Sequence, residues 1–96
     1  MSNIPELSES DLSRAIPRAQ RLRLARGEFR DARDVVDLRA FVGLSQVRFA
    51  EALGISVHTL RGWEQGRRRP EGPALALLRI AARHPKLIKE NLVTAA

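Results

Sequence analysis

The sequence predicts an all-α fold: a compact five-helix domain preceded by an N-terminal arm that is helical or partly disordered. Three observations carry this. Beyond residue 30, apolar residues recur at the three- and four-residue spacing of helices, and no strand alternation competes. Each apolar run follows a helix starter: Asp31, Ser45 and Ser56 as caps, Pro73 and Pro85 as first-turn prolines. Gly43, Gly54 and Gly66 then close the first three runs. The expected division is an arm over 1–30 and the helical domain, with C-terminal dimerisation helices, over 31–96.

In the arm, Ser8 or Ser10 can cap a short helix through Leu12 and Ile16, and Pro17 breaks or restarts it. "RAQRLRLARG" then reads as a basic helix with Ala19, Leu22 and Ala25 on one face and Gly27 after it. Pieces this short are marginal alone in water, so the segment needs something to dock on. Three roles stay open: packing on its own domain or a dimer mate, a mobile arm on DNA, or a segment that binds a partner protein.

In the domain, Asp31 caps a helix from Ala32, with Asp34 placed as in a capping box. Val35, Leu38 and Val42 share its inner face. Ser45 caps Gln46 to Leu53, with Phe49, Ala50 and Leu53 inward, and Ser56 caps Val57 to Gln65, with Leu60 and Trp63 inward. Pro73 begins a fourth helix to about His84, and Pro85 a fifth through Leu87, Ile88 and Leu92. Little more than Gly54, Ile55 and Ser56 separates the second helix from the third. Two helices joined so tightly must cross steeply, which is the geometry of a helix-turn-helix. Ala50 permits close approach there, and Ile55 and Leu60 plug the corner.

Composition narrows the function. No cysteine means no disulfide and no thiolate zinc site. No apolar run approaches the ~18 residues of a membrane helix. The N-terminus is rich in Ser, Glu and Asp and does not read as a secretory signal, so a cytoplasmic protein is expected. The net charge of +6 favours a polyanionic partner. The excess is uneven: residues 56–96 hold eight bases against three acids, while residues 28–55 hold four against five. His58 and His84 lie on different helices, and no phosphate loop, metal spacing or carboxylate constellation accompanies them. No enzyme, cofactor or metal is expected.

The excess charge adjoins the third helix. With Leu60 and Trp63 packed inward, Val57, His58, Arg61 and Gly62 are left on the other side. Such a helix points its N-terminal end at base edges. Val57 offers only apolar contact, suited to a thymine methyl, whereas His58 can donate to or accept from a purine edge. Arg61 can reach a guanine or a phosphate. Gln46, where helical N–H groups are free, is a phosphate anchor, with Arg48 and Thr59 as secondary candidates. Arg67, Arg68 and Arg69 follow the recognition helix and are expected along one strand of the duplex. Their mutual repulsion is relieved by a polyanion.

"LSQVRFAEALGISVHTLRGWEQGRRRP", Leu44 to Pro70, resembles the helix-turn-helix of phage-repressor-like (Cro/C1, XRE) regulators. Within that superfamily, "TLRGWEQGRRRPEGPALALLRIAARHP" is more similar to HigA-type antitoxins, in its Trp-Glu-Gln-Gly, Arg-x-Pro-x-Gly, Ala-x-x-Leu-Leu and Arg-His-Pro pieces. The resemblance implies that Val57, His58 and Gly62 stand where bases are read and that Gln46 bonds the DNA backbone. Gly62 lacks a side chain at a reader position, so either the groove comes closer there or that base pair goes unread. The resemblance also implies an autoregulating repressor that neutralises a HigB/RelE-like RNase toxin, with Leu12, Ile16 and Leu22 as candidate toxin contacts. A stand-alone XRE-family regulator without a toxin is the alternative.

One recognition helix reads few base pairs, so useful specificity implies a homodimer on a palindromic operator. "PALALLRIAARHP" carries charge only at Arg79 and Arg83 and must be covered on more than one side. Leu77, Ile80, Leu87, Ile88 and Leu92 are the candidate dimer contacts.

Overall fold

The expected caps set the helix boundaries. In the computed structural model, which describes residues 16–92, the helices are α1 (Arg18–Ala25), α2 (Ala32–Val42), α3 (Gln46–Leu53), α4 (Val57–Glu64), α5 (Pro73–Arg83) and α6 (Pro85–Glu90). No strand occurs among the described residues. Asp31 accepts from the N–H groups of Arg33 and Asp34, Ser45 from that of Arg48, and Ser56 from that of Thr59. Each cap satisfies donors that have no partner inside the helix. Gly54, at φ 73°, closes α3 in the left-handed region, and the Ile55 N–H returns to the Ala50 carbonyl at 3.0 Å. This glycine lets the chain turn at once into α4.

The core joins every helix. Phe49, Leu24, Leu38, Leu60, Leu78 and Val35 are its largest fully buried side chains. Trp63 is 4% exposed and belongs to the same cluster, as its spacing from Leu60 predicts. α4 packs on α3 and α2, and α6 closes the far side against α2, α3 and α5. Asn91 Nδ2 donates to the Ala52 carbonyl at 2.6 Å and ties the end of α6 to α3.

Three expectations need correction. The first concerns the face of the helix after Pro17: of the three roles left open, α1 takes packing on its own domain, against α5 and α2, and Leu24 is completely buried in the core. That burial contributes about 2 kcal/mol. The inward face is different, because Leu22 is 47% exposed and Ala19 is exposed. Docking selects Leu24 together with the half-buried Gln20 and Arg23, whose polar ends meet acids of α2. Ile16 is half-buried against the core, while Ser8, Ser10 and Leu12 lie outside the described residues.

The second correction concerns Asp34. It does not reach back to the Asp31 N–H as a capping box requires. Its carboxylate accepts from Arg23 Nη1 and Nη2 at 2.8 and 3.0 Å, from the Arg30 N–H at 2.8 Å and from Gln20 Nε2 at 3.0 Å. Burial would raise the Asp34 pKa. The Arg23, Arg30 and Gln20 donors outweigh it and hold the carboxyl at about 2, against an ordinary 3.8. α1 is thereby locked to the start of α2. Arg21 adds a bond from Nε to the Ala82 carbonyl at 3.2 Å and stacks 5.1 Å above the Phe41 ring.

The third correction falls on Ile88. It is 5% exposed and buried in the chain's own core, which leaves it almost no surface for a partner.

Candidate nucleic-acid interface

α4 divides as its sequence demands. Leu60 and Trp63 are buried, whereas His58 and Arg61 are exposed and Val57 is half-buried. The Ser56 cap fixes the start of the helix through Oγ, which accepts from the Thr59 N–H at 3.0 Å and donates to Thr59 Oγ1 at 3.0 Å. Thr59 Oγ1 is thus engaged in the cap.

At the other end of α4, Glu64 anchors the helix to the scaffold. Its side chain is 5% exposed and receives Arg39 Nε at 2.7 Å and Arg39 Nη2 at 3.2 Å. Arg39 Nη1 also donates to the Leu44 carbonyl at 3.1 Å. Gln46 Nε2 donates to Glu64 Oε1 at 2.9 Å, and Arg61 Nε donates to Gln46 Oε1 at 3.2 Å. A continuous chain of bonds therefore runs from α2 through α4 and α3 to the exposed side of α4. Using Nε on Gln46 leaves the paired Nη groups of Arg61 for a ligand. Gln46 retains its second amide hydrogen, beside first-turn N–H groups with no helical acceptor.

The three successive arginines occupy different environments. Arg67 is exposed. Arg69 Nη2 donates to the Phe29 carbonyl at 3.0 Å and so holds the loop onto the α1–α2 connection. Arg68 lies over Gly62: a Cβ placed there would sit 3.3 Å from Arg68 Cδ and 3.4 Å from Cγ. Gly62, expected on the outward side of α4, is covered there by Arg68 and is buried. Arg48 is exposed and makes only a 3.6 Å surface pair with Glu51, worth little.

Sequence reasoning brought together Val57, His58 and Arg61 but missed Arg39 and Glu64. Arg39 adjoins the apolar stripe of Val35, Leu38 and Val42, a position where a charge needs a partner. Its partner lies 25 residues away, a separation with no local signature. Among the described residues no cluster of His, Cys, Asp and Glu suits a metal ion, and no helix is long and apolar enough to cross a membrane.

Among the described residues the scaffold is all-helical and presents a capped, tightly joined helix pair beside a basic loop. The chain belongs to the antitoxin family described as "Antitoxin component of bacterial toxin-antitoxin system, MqsA", whose model matches residues 6–91. It is 40% identical over 55 residues to Antitoxin HigA-2 of Vibrio cholerae serotype O1, covering 57% of this chain and 53% of that protein. The chain thus spans about half the length of the curated relative it matches. No solved structure matches it.

Proposed function

We propose that the protein is a sequence-specific DNA-binding repressor and the antitoxin of a HigB/RelE-like RNase toxin, and that it autoregulates its operon. One observation carries the DNA reading: the outward side of α4 is uncovered at His58 and Arg61, next to the exposed arginine loop. His58, Arg61 and Val57 are the base readers. Gln46 and Arg67 are the main phosphate anchors, with Arg48 as a flanking contact. Thr59 and Arg69 serve chiefly to hold the surface in shape.

The antitoxin reading draws on family membership and on the name of the Vibrio relative. The exposed Leu22 on α1, with Ile16 and Leu12 before it, is the candidate toxin contact. The dimer reading draws on Ile80 and Leu87, which are 39% and 54% exposed, with the half-buried Leu77 and Leu92 beside them. A dimer places two copies of α4 on a two-fold operator.

Selection of bound duplexes from a randomised pool by the full chain tests the DNA reading. The expected product is an inverted repeat. Enrichment of no sequence over bulk DNA would end it. Co-expression with a HigB/RelE-like RNase toxin tests the second clause: the chain should restore growth, and Leu22→Glu should weaken that protection.

A further inference from the structure

Gly62 sits at a recognition-helix position without a side chain, yet the space there is filled. The stem of Arg68 crosses it, with Cδ, Cγ and Cβ at 3.3, 3.4 and 3.8 Å from where a Cβ would be. The backbone enforces the placement. The Arg67 and Arg68 N–H groups both donate to the Gly62 carbonyl, at 2.9 and 3.2 Å. This ties the loop back over the last turns of α4, and Gly66 makes the reversal at φ 79°. The neighbouring bond from Arg69 to the Phe29 carbonyl pins the loop on its far side. Arg68 is therefore clamped between two anchored points, while the residue as a whole remains exposed.

Helical geometry decides on which side of α4 this stem lies. Position 62 lies one turn beyond His58 on the same side of the helix, with Arg61 adjacent. A side chain lying across position 62 joins that side. We infer that Arg68 is a base-reading residue, delivered from the loop to the place a side chain at position 62 would take, and that it recognises guanine. The guanidinium suits this target, since its paired N–H groups match the O6 and N7 acceptors of guanine in the major groove. Gly62 is the positioning residue: its missing Cβ is the seat of the Arg68 stem. The same contact means that the base pair at this position is neither approached by bare backbone nor left unread. Arg67, which lacks this seat, is a phosphate contact.

This inference rests on the DNA reading proposed above, and the test separates the two. Full-length protein, Arg68→Ala, Arg67→Ala and Gly62→Ala are each used to select duplexes from a randomised pool, and affinity is then measured for every single-base variant of the best site. Arg68→Ala should abolish a guanine preference at one position per half-site, by about ten-fold or more, and leave preferences elsewhere intact. Gly62→Ala, which improves helix propensity and so should fold, should weaken preference at that same position and no other. Replacing that guanine by 7-deazaguanine should weaken the wild type and leave Arg68→Ala unaffected. Arg67→Ala should lower all sequences alike. If Arg68→Ala also lowers all sequences alike, or if Gly62→Ala acts at a different base pair or none, the assignment of Arg68 is overturned while DNA binding stands. If the wild type enriches no sequence, both readings fall.

Discussion

Arg39 and Glu64 form a two-pronged ion pair that spans α2 and the last turn of α4, with Nε to Oε2 at 2.7 Å and Nη2 to Oε1 at 3.2 Å. Glu64 Oε1 also takes Gln46 Nε2, so one carboxylate orients α4 against both α2 and α3. Glu64→Gln keeps the size but removes the charge and turns a donor toward Arg39. A loss of about 3 kcal/mol is expected, because a largely buried guanidinium is left without its counter-charge. The urea midpoint measures it. A midpoint equal to wild type would show that the pair contributes nothing.

Asp34 predicts a pH dependence. Its folded pKa of about 2 lies below the ordinary 3.8, so the carboxylate stabilises the fold above the higher value. That stability, about 2 kcal/mol, fades as pH falls from about 4 through about 2. Asp34→Asn should therefore be less stable than wild type at neutral pH, with the gap narrowing on acidification. Denaturation at several pH values checks the sign. A gap that widens toward acid would contradict the Arg23 pairing.

Gly54 turns α3 into α4 at φ 73°, and a Cβ there would meet nothing within 4 Å. Gly54→Ala should cost only the left-handed backbone penalty, about 1–2 kcal/mol. Thermal melting of the variant measures this. A larger loss would mean that the turn is crowded.

Trp63 is the chain's only tryptophan and is 4% exposed. Its fluorescence should resist acrylamide quenching in the native state. It should keep its emission maximum when duplex DNA is added, because the ring packs inside. Strong quenching by DNA would indicate stacking on bases instead. Trp63→Ala should cost about 3–5 kcal/mol, a large part of what a small domain has.

The helices from Asp31 to Leu92 were legible because caps, glycines and apolar spacing act between near neighbours. The inward roles of Leu60 and Trp63 and the outward roles of His58 and Arg61 follow from helical periodicity, so the exposed side of the candidate site was legible too. Ile88 was misplaced because periodicity identifies an apolar face without saying whether its own domain or another subunit covers it.

By itself the sequence determined an all-α fold, a tight α3–α4 turn and a basic end, all set by backbone preferences and charge that need no distant partner. Tertiary structure alone decided that α1 joins the core through Leu24, that Arg39 and Gln46 meet on Glu64, and that Arg68 fills the space over Gly62. Those contacts join residues brought together by the packing of separate helices or by the reversal of a loop. Their energies exist only once the chain has closed, and local spacing carries no trace of them.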